Sequence, residues 1–225
     1  MWLIFSTASL DGRIATVKGD SELSCKYDLE LLHKFRCWSD LVLVGANTAI
    51  VDDPGLFVKR VNCLRQPYRG IVDGRLRVPL NLRLFVEQPW MTIVLTTVQG
   101  VRENEVKYRT LLDRGVRVIV AGNGPKVNLK EAKLILNEMG IRKVLIEGGG
   151  ALNWSAIRDD VVDRIEVTYV GKVLGAGVPL VYGEGYEMVR DAPLFLPVEI
   201  KKCRCGRCVH ISWARSGINN QHCML

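Results

Sequence analysis

The chain has 225 residues, 48% of them hydrophobic and 24% charged, an ordinary globular composition and long enough to bury a sizeable core. That excludes a disordered tail, a collagenous repeat and a disulfide-stapled miniprotein, and no apolar run approaches the roughly 18–20 residues that a membrane-spanning helix needs. With 31 Lys and Arg against 24 Asp and Glu, the net charge of +7 favours an anionic partner.

In chain order, Trp2–Ser9 reads as a first strand. No Lys or Arg precedes its apolar start, so it does not read as a signal peptide. Asp11-Gly12 is a turn dipeptide, and Ser24 is placed to cap a helix over Cys25–Trp38. Leu41–Gly45 is a continuous buried-type strand, a form repeated by Tyr68–Asp73 and Met91–Thr96. Val101–Arg114 predicts one amphipathic helix stopped by Gly115, with Val116–Ala121 as the next strand. Asn128 with Glu131 makes a capping-box-like start to a helix ending at Gly140. Lys143–Glu147 is another strand, and the triple glycine 148–150 leads into a helix from about Ala151. Val161–Val170 reads as one long strand, and Val198–Cys203 with Cys208–Trp213 as an antiparallel hairpin. Strands without polar alternation, separated by helices, imply a mostly parallel sheet covered on both faces. The reading is a single α/β domain over 1–215 with the hairpin at one sheet edge, followed by a tail, 216–225. Seven scattered cysteines predict reduced thiols and a cytoplasmic protein.

Four segments could carry chemistry. The strongest is the Lys143–Trp154 stretch, where a buried strand runs into three glycines and a helix start. Backbone amides without Cβ atoms nearby, at the positive end of a helix dipole, suit a pyrophosphate or equally a sharp turn with no ligand. Glu147 at the strand end lies where ligands bind in such sheets. Gly45–Leu56 also follows a strand and presents Asn47, Thr48, Asp52 and Asp53, which suit either a cleft or helix-end capping. Asp73–Arg83 carries Arg75, Arg77 and Arg83, which could clamp phosphates or form a solvated basic loop. Lys201–Cys208 looks like a zinc half-site with three thiols. A fourth ligand would have to be His210, His222 or Cys223, and strand alternation points the cysteines in different directions, so no metal is expected.

Taken in order, Ser9–Ala15, Gly19–Ser21, Arg36 with Ser39-Asp40, Val44–Thr48, Asp52–Leu56, Ile71–Asp73, Arg77–Pro79 and Leu145–Trp154 resemble one family. This family is the pyrimidine reductases of the riboflavin pathway, in their standalone form, and the likeness covers roughly residues 2–213. The resemblance implies a dihydrofolate-reductase-like three-layer fold, NADPH as cofactor and a homodimer. It implies that Thr48 and Asp52 contact NADPH, that Gly74 lies beside it, and that Asn81, Leu82 and Arg83 reach its adenosine phosphate. Gly149, Gly150, Ala151, Leu152 and Asn153 would cradle the pyrophosphate. Ser21, Arg36, Leu56 and Lys59 match substrate positions, with Arg36 and Lys59 suited to a sugar phosphate, and Glu147 would face the substrate as the candidate catalytic group. Two departures stand out: Lys59 replaces an arginine of bacterial relatives, and Phe5 replaces a polar residue near the end of the first strand.

The implied reaction is reduction of a ribosylamino side chain to the ribitylamino form, in a cleft that positions two phosphorylated molecules and excludes water. One alternative is a pterin or dihydrofolate reductase on the same fold, which would not need Arg36 and Lys59. The other is a zinc-containing nucleic-acid-binding protein that uses the basic hairpin.

Overall fold

A computed structural model describes residues 1–217. The elements in chain order are β1 (Trp2–Ser9), β2 (Arg13–Ala15), α1 (Lys26–Trp38), β3 (Leu41–Gly45), α2 (Ala46–Asp52), β4 (Tyr68–Val72), α3 (Arg83–Val86), β5 (Thr92–Thr96) and α4 (Val98–Glu103). They continue as α5 (Glu105–Asp113), β6 (Arg117–Val120), α6 (Leu129–Glu138), β7 (Val144–Ile146), α7 (Gly150–Arg158), β8 (Arg164–Val170), β9 (Val178–Pro179), β10 (Phe195–Lys202) and β11 (Cys208–Arg215). Among the described residues, no helix is long and apolar enough to cross a membrane.

The main sheet runs β10-β11-β8-β1-β7-β3-β4-β5-β6. From β8 to β6 every pairing is parallel, and β11 and β10 extend the β8 side antiparallel, as the sequence predicts. Each central strand is apolar on both faces because helices cover both. Trp2, Ile4, Leu41, Leu43 and Ile93 pack with Leu129, Leu136, Leu152 and Ile157 of α6 and α7. Leu3, Phe5, Val42, Val44 and Ile71 pack on the other side with Phe35, Ala49, Phe85 and Leu111 of α1, α2, α3 and α5. Strand β7 returns from the far edge to lie between β1 and β3, and the chain then crosses to β8 on the other side of β1. The C-terminal end of β7 is therefore a topological switch point, where open α/β sheets form their crevice.

Four local expectations are corrected. Cys25, not Ser24, is the N-cap of α1, and it makes no side-chain cap; the Ser24 hydroxyl instead meets Thr7 Oγ1 at 2.8 Å. The helix expected over Val101–Arg114 is two helices, α4 and α5. They break at Asn104, whose side-chain amide donates to the Arg75 carbonyl at 2.9 Å. Strand β8 begins at Arg164, later than expected; just before it, the Asp163 carboxylate accepts the Trp2 amide at 2.6 Å and its backbone amide donates to the Trp2 carbonyl at 2.9 Å. Cys37 and Cys63 form a disulfide, which corrects the expectation of seven reduced thiols and removes the compartment argument drawn from them.

Candidate active site

At the switch point, Glu147 follows β7 and its carboxylate takes a two-pronged grip from Arg36 of α1. Arg36 Nε donates to Oε1 at 2.6 Å and Nη2 to Oε2 at 2.7 Å, while Nη1 donates to the Phe57 carbonyl at 2.9 Å. Both side chains are nearly buried. Although burial opposes the charge on Arg36, the carboxylate beside it raises the pKa above the ordinary arginine value. Arg36 was expected as a phosphate ligand; here its planar fork meets the Glu147 carboxylate and its remaining terminal nitrogen the Phe57 carbonyl.

Arg36 also lines a cavity of about 300 Å³, together with His33, Leu56, Phe57, Lys59 and Arg60. Lys59 and Arg60 are exposed at its rim. Leu56 has a left-handed backbone, φ +53°, and its side chain is buried among the apolar residues of α2 and α3. It lines the cavity wall. His33 accepts the Lys59 amide on Nδ1 at 2.9 Å, and burial followed by the charge of Arg36 lowers its pKa to about 4. Ser21 is exposed on the loop that precedes α1.

A residue that the sequence reading passed over supports this cavity. Arg69 lies within apolar β4 and is fully buried; it donates to the carbonyl of Gln88 at 2.9 Å and to Thr92 Oγ1 at 3.2 Å, and stacks on Phe57 at 4.4 Å. It ties the cavity wall to the loop before β5. A charged residue inside an otherwise apolar strand was the available signal.

The glycine turn follows Glu147 directly in the chain. The Gly45 amide donates to the Gly148 carbonyl at 2.8 Å, and the Gly149 amide to Thr48 Oγ1 at 2.9 Å, so Thr48 is brought onto the turn. The Gly148–Gly149 peptide is cis. The first-turn amides of Gly150 and Ala151 have no intrahelical acceptor, and Ala151 is exposed. Leu152 is buried in the core. Asn153 donates to the Leu180 carbonyl at 2.8 Å, and its buried Oδ1 has no hydrogen-bond partner in the structure. A strap of chain around β9 crosses here: the Tyr182 amide donates to the Gly150 carbonyl at 3.1 Å, and Glu184 accepts the Trp154 indole N–H.

The remaining predicted cofactor residues lie on several different segments. Arg77 donates to Asn47 Oδ1 at 3.0 Å near the turn, and Asp52 is exposed at the end of α2. Gly74 lies against Pro125 and accepts the Thr97 hydroxyl at 2.7 Å. Asn81 is exposed, Leu82 is buried in the core, and Arg83 pairs with Glu87 at 3.0 Å. Among the described residues, no hydrogen bond or ion pair joins these last three to the glycine turn. Phe5 is buried between the rings of Phe35 and His210 and brings no titratable group to the site.

Residues 2–209 match the RibD C-terminal domain family. A protein of Methanothermobacter thermautotrophicus named 2,5-diamino-6-ribosylamino-4(3H)-pyrimidinone 5′-phosphate reductase is 34% identical over 205 residues, which are 89% of this chain and 90% of that protein. Among solved structures, Acinetobacter baumannii RibD matches with a TM-score of 0.78 at 22% identity, over 96% of this chain and 57% of that one. The Saccharomyces cerevisiae riboflavin biosynthesis reductase Rib7 matches with a TM-score of 0.70 at 19% identity, over 96% of this chain and 90% of that one. These likenesses bear out the reductase fold expected from the sequence motifs.

Proposed function

This chain belongs to the RibD C-terminal domain family, and from that premise we propose that it reduces the ribosylamino side chain of 2,5-diamino-6-ribosylamino-4(3H)-pyrimidinone 5′-phosphate to the ribitylamino form, with NADPH as cofactor. The observation that carries this reading is the Arg36–Glu147 pair, which links a cation-rimmed cavity to a glycine turn at the sheet's switch point. Two phosphorylated molecules would thereby meet across one carboxylate.

The turn fits a nucleotide. Ala151 exposes a first-turn amide, Thr48 is fixed on the Gly149 amide, and the orphaned Oδ1 of buried Asn153 awaits a donor. Thr48, Gly149, Gly150 and Ala151 would hold the pyrophosphate, and exposed Arg75 and Arg77 suit the extra phosphate of NADPH over NADH. NADPH, when bound, supplies the hydride.

For the substrate, Lys59 and Arg60 bind the sugar phosphate at the cavity mouth while Leu56 and Phe57 exclude water from its wall. Glu147 holds Arg36, and through it the Phe57 carbonyl, in place; we assign it a positioning role rather than proton transfer. The protein works as a homodimer. Its interface is the β10 edge, where Leu196, Val198 and Ile200 are exposed, since both edges of β8 are already paired.

The test is NADPH oxidation with the phosphorylated substrate and with its dephosphorylated form. Lys59→Ala is expected to raise KM for the phosphorylated substrate about tenfold with little change in kcat, the effect of one lost phosphate contact worth roughly 1.4 kcal/mol. Equal turnover of both substrates, with Lys59→Ala silent, would overturn the assignment.

A further inference from the structure

The hairpin cysteines converge. Cys203 ends the turn side of β10, Cys205 lies in the turn and Cys208 opens β11, and the fourth member is Cys25, at the N-terminal end of α1. The four sulfurs all lie within 4.8 Å of one another, with Cys25 to Cys203 at 3.5 Å and Cys205 to Cys208 at 3.4 Å. From this we infer that Cys25, Cys203, Cys205 and Cys208 form a structural tetrathiolate site for zinc.

The geometry suits the ion. A tetrahedral zinc with Zn–S bonds of about 2.3 Å holds its sulfurs about 3.8 Å apart, within the spread observed here. The turn is already shaped around the thiolates. The Cys203 amide donates to the Cys208 carbonyl at 2.9 Å and the Gly206 amide to the Cys203 carbonyl at 2.9 Å, with Gly206 left-handed at φ +75°. Four thiolates around a divalent ion leave two negative charges. Lys201, Lys202, Arg204 and Arg207 flank them in sequence, which gives the basic hairpin a role that needs no nucleic acid.

Two expectations are thereby corrected. The cysteines do not point apart, because the turn between β10 and β11 interrupts the strand alternation. The fourth ligand is not His210, whose Nδ1 meets Thr168 at 2.9 Å and whose Nε2 meets Glu166 at 2.9 Å; His222 and Cys223 lie outside the described residues. The site joins the edge hairpin to the start of α1, the helix that delivers His33 and Arg36 to the cavity.

Elemental analysis of the full chain, purified under reducing conditions, is expected to find about one zinc per chain. Replacement by cobalt is expected to give the thiolate charge-transfer band and the intense visible bands of a tetrahedral site, on the wild-type protein with no substitution needed. Cys25→Ser and Cys205→Ser are expected to weaken metal binding beyond the roughly 10–100-fold loss typical of outer-shell changes. Absence of zinc together with absence of the cobalt bands would overturn the site. Full zinc affinity in Cys25→Ser would overturn its composition.

Discussion

His33 illustrates how one buried ring can make the cavity sensitive to acid. Its Nδ1 must stay unprotonated to accept the Lys59 amide, and in the folded state it does so down to about pH 4. The unfolded imidazole takes up its proton near 6.5. Between those values the unfolded state binds more protons, so the contribution is complete above pH 6.5 and is lost as pH falls to 4. A Tm-against-pH series is expected to show that loss in the wild type and a flatter acid limb in His33→Asn, which keeps an acceptor but cannot titrate. The Arg36–Glu147 pair makes a separate case. Glu147→Ala leaves a buried guanidinium without its carboxylate, at a cost of roughly 3–5 kcal/mol. Glu147→Gln retains one acceptor oxygen, so denaturant unfolding is expected to find it less destabilised, and its pH–rate profile is expected to keep the wild-type shape. A proton carrier would lose one limb of that profile.

At the scale of elements, the strands were legible and the helix ends less so. Apolar runs without alternation marked β1, β3, β4, β5 and β7 almost to the residue, because a strand buried on both faces leaves that composition. Asn128 was also legible: its side chain accepts the Glu131 amide at 3.1 Å, as the capping-box pattern implies. Ser24 and Asn104 were not, since each found a partner distant in sequence, Thr7 for one and the Arg75 carbonyl for the other. Thr97 is a cap of the same kind that propensity did not single out. It is fully buried, accepts the Gly100 amide at 3.0 Å and donates to Gly74 at 2.7 Å, fixing α4 to the loop after β4. Thr97→Ala is expected to cost about 1–2 kcal/mol in urea unfolding, with Thr97→Ser close to wild type.

Over the whole molecule, what the sequence could not show was which distant residues meet. Arg36 and Glu147 are 111 positions apart and Cys25 and Cys203 are 178 apart, and only the insertion of β7 beside β1 and the return of the hairpin bring them together. Individual motifs were readable because turn and capping chemistry is local; pairings were not, because strand order is set by the packing of both faces at once. The charge of +7 follows the same division. Part of it rims the cavity as Lys59 and Arg60, and part surrounds the thiolate cluster. If the β10 edge joins two copies, Ile200→Lys is expected to turn the dimer into monomers in light scattering by placing like charges across the seam.

The strap over α7 touches the helix where side chains are missing. A Cβ at position 150 would stand 2.4 Å from the Pro179 carbonyl, and one at 183 would stand 1.9 Å from the Trp154 ring. Strap and helix start are therefore matched by two absences, so neither surface can drift in sequence without the other. Any lineage that enlarges one of these glycines must also rebuild the mouth of the glycine turn.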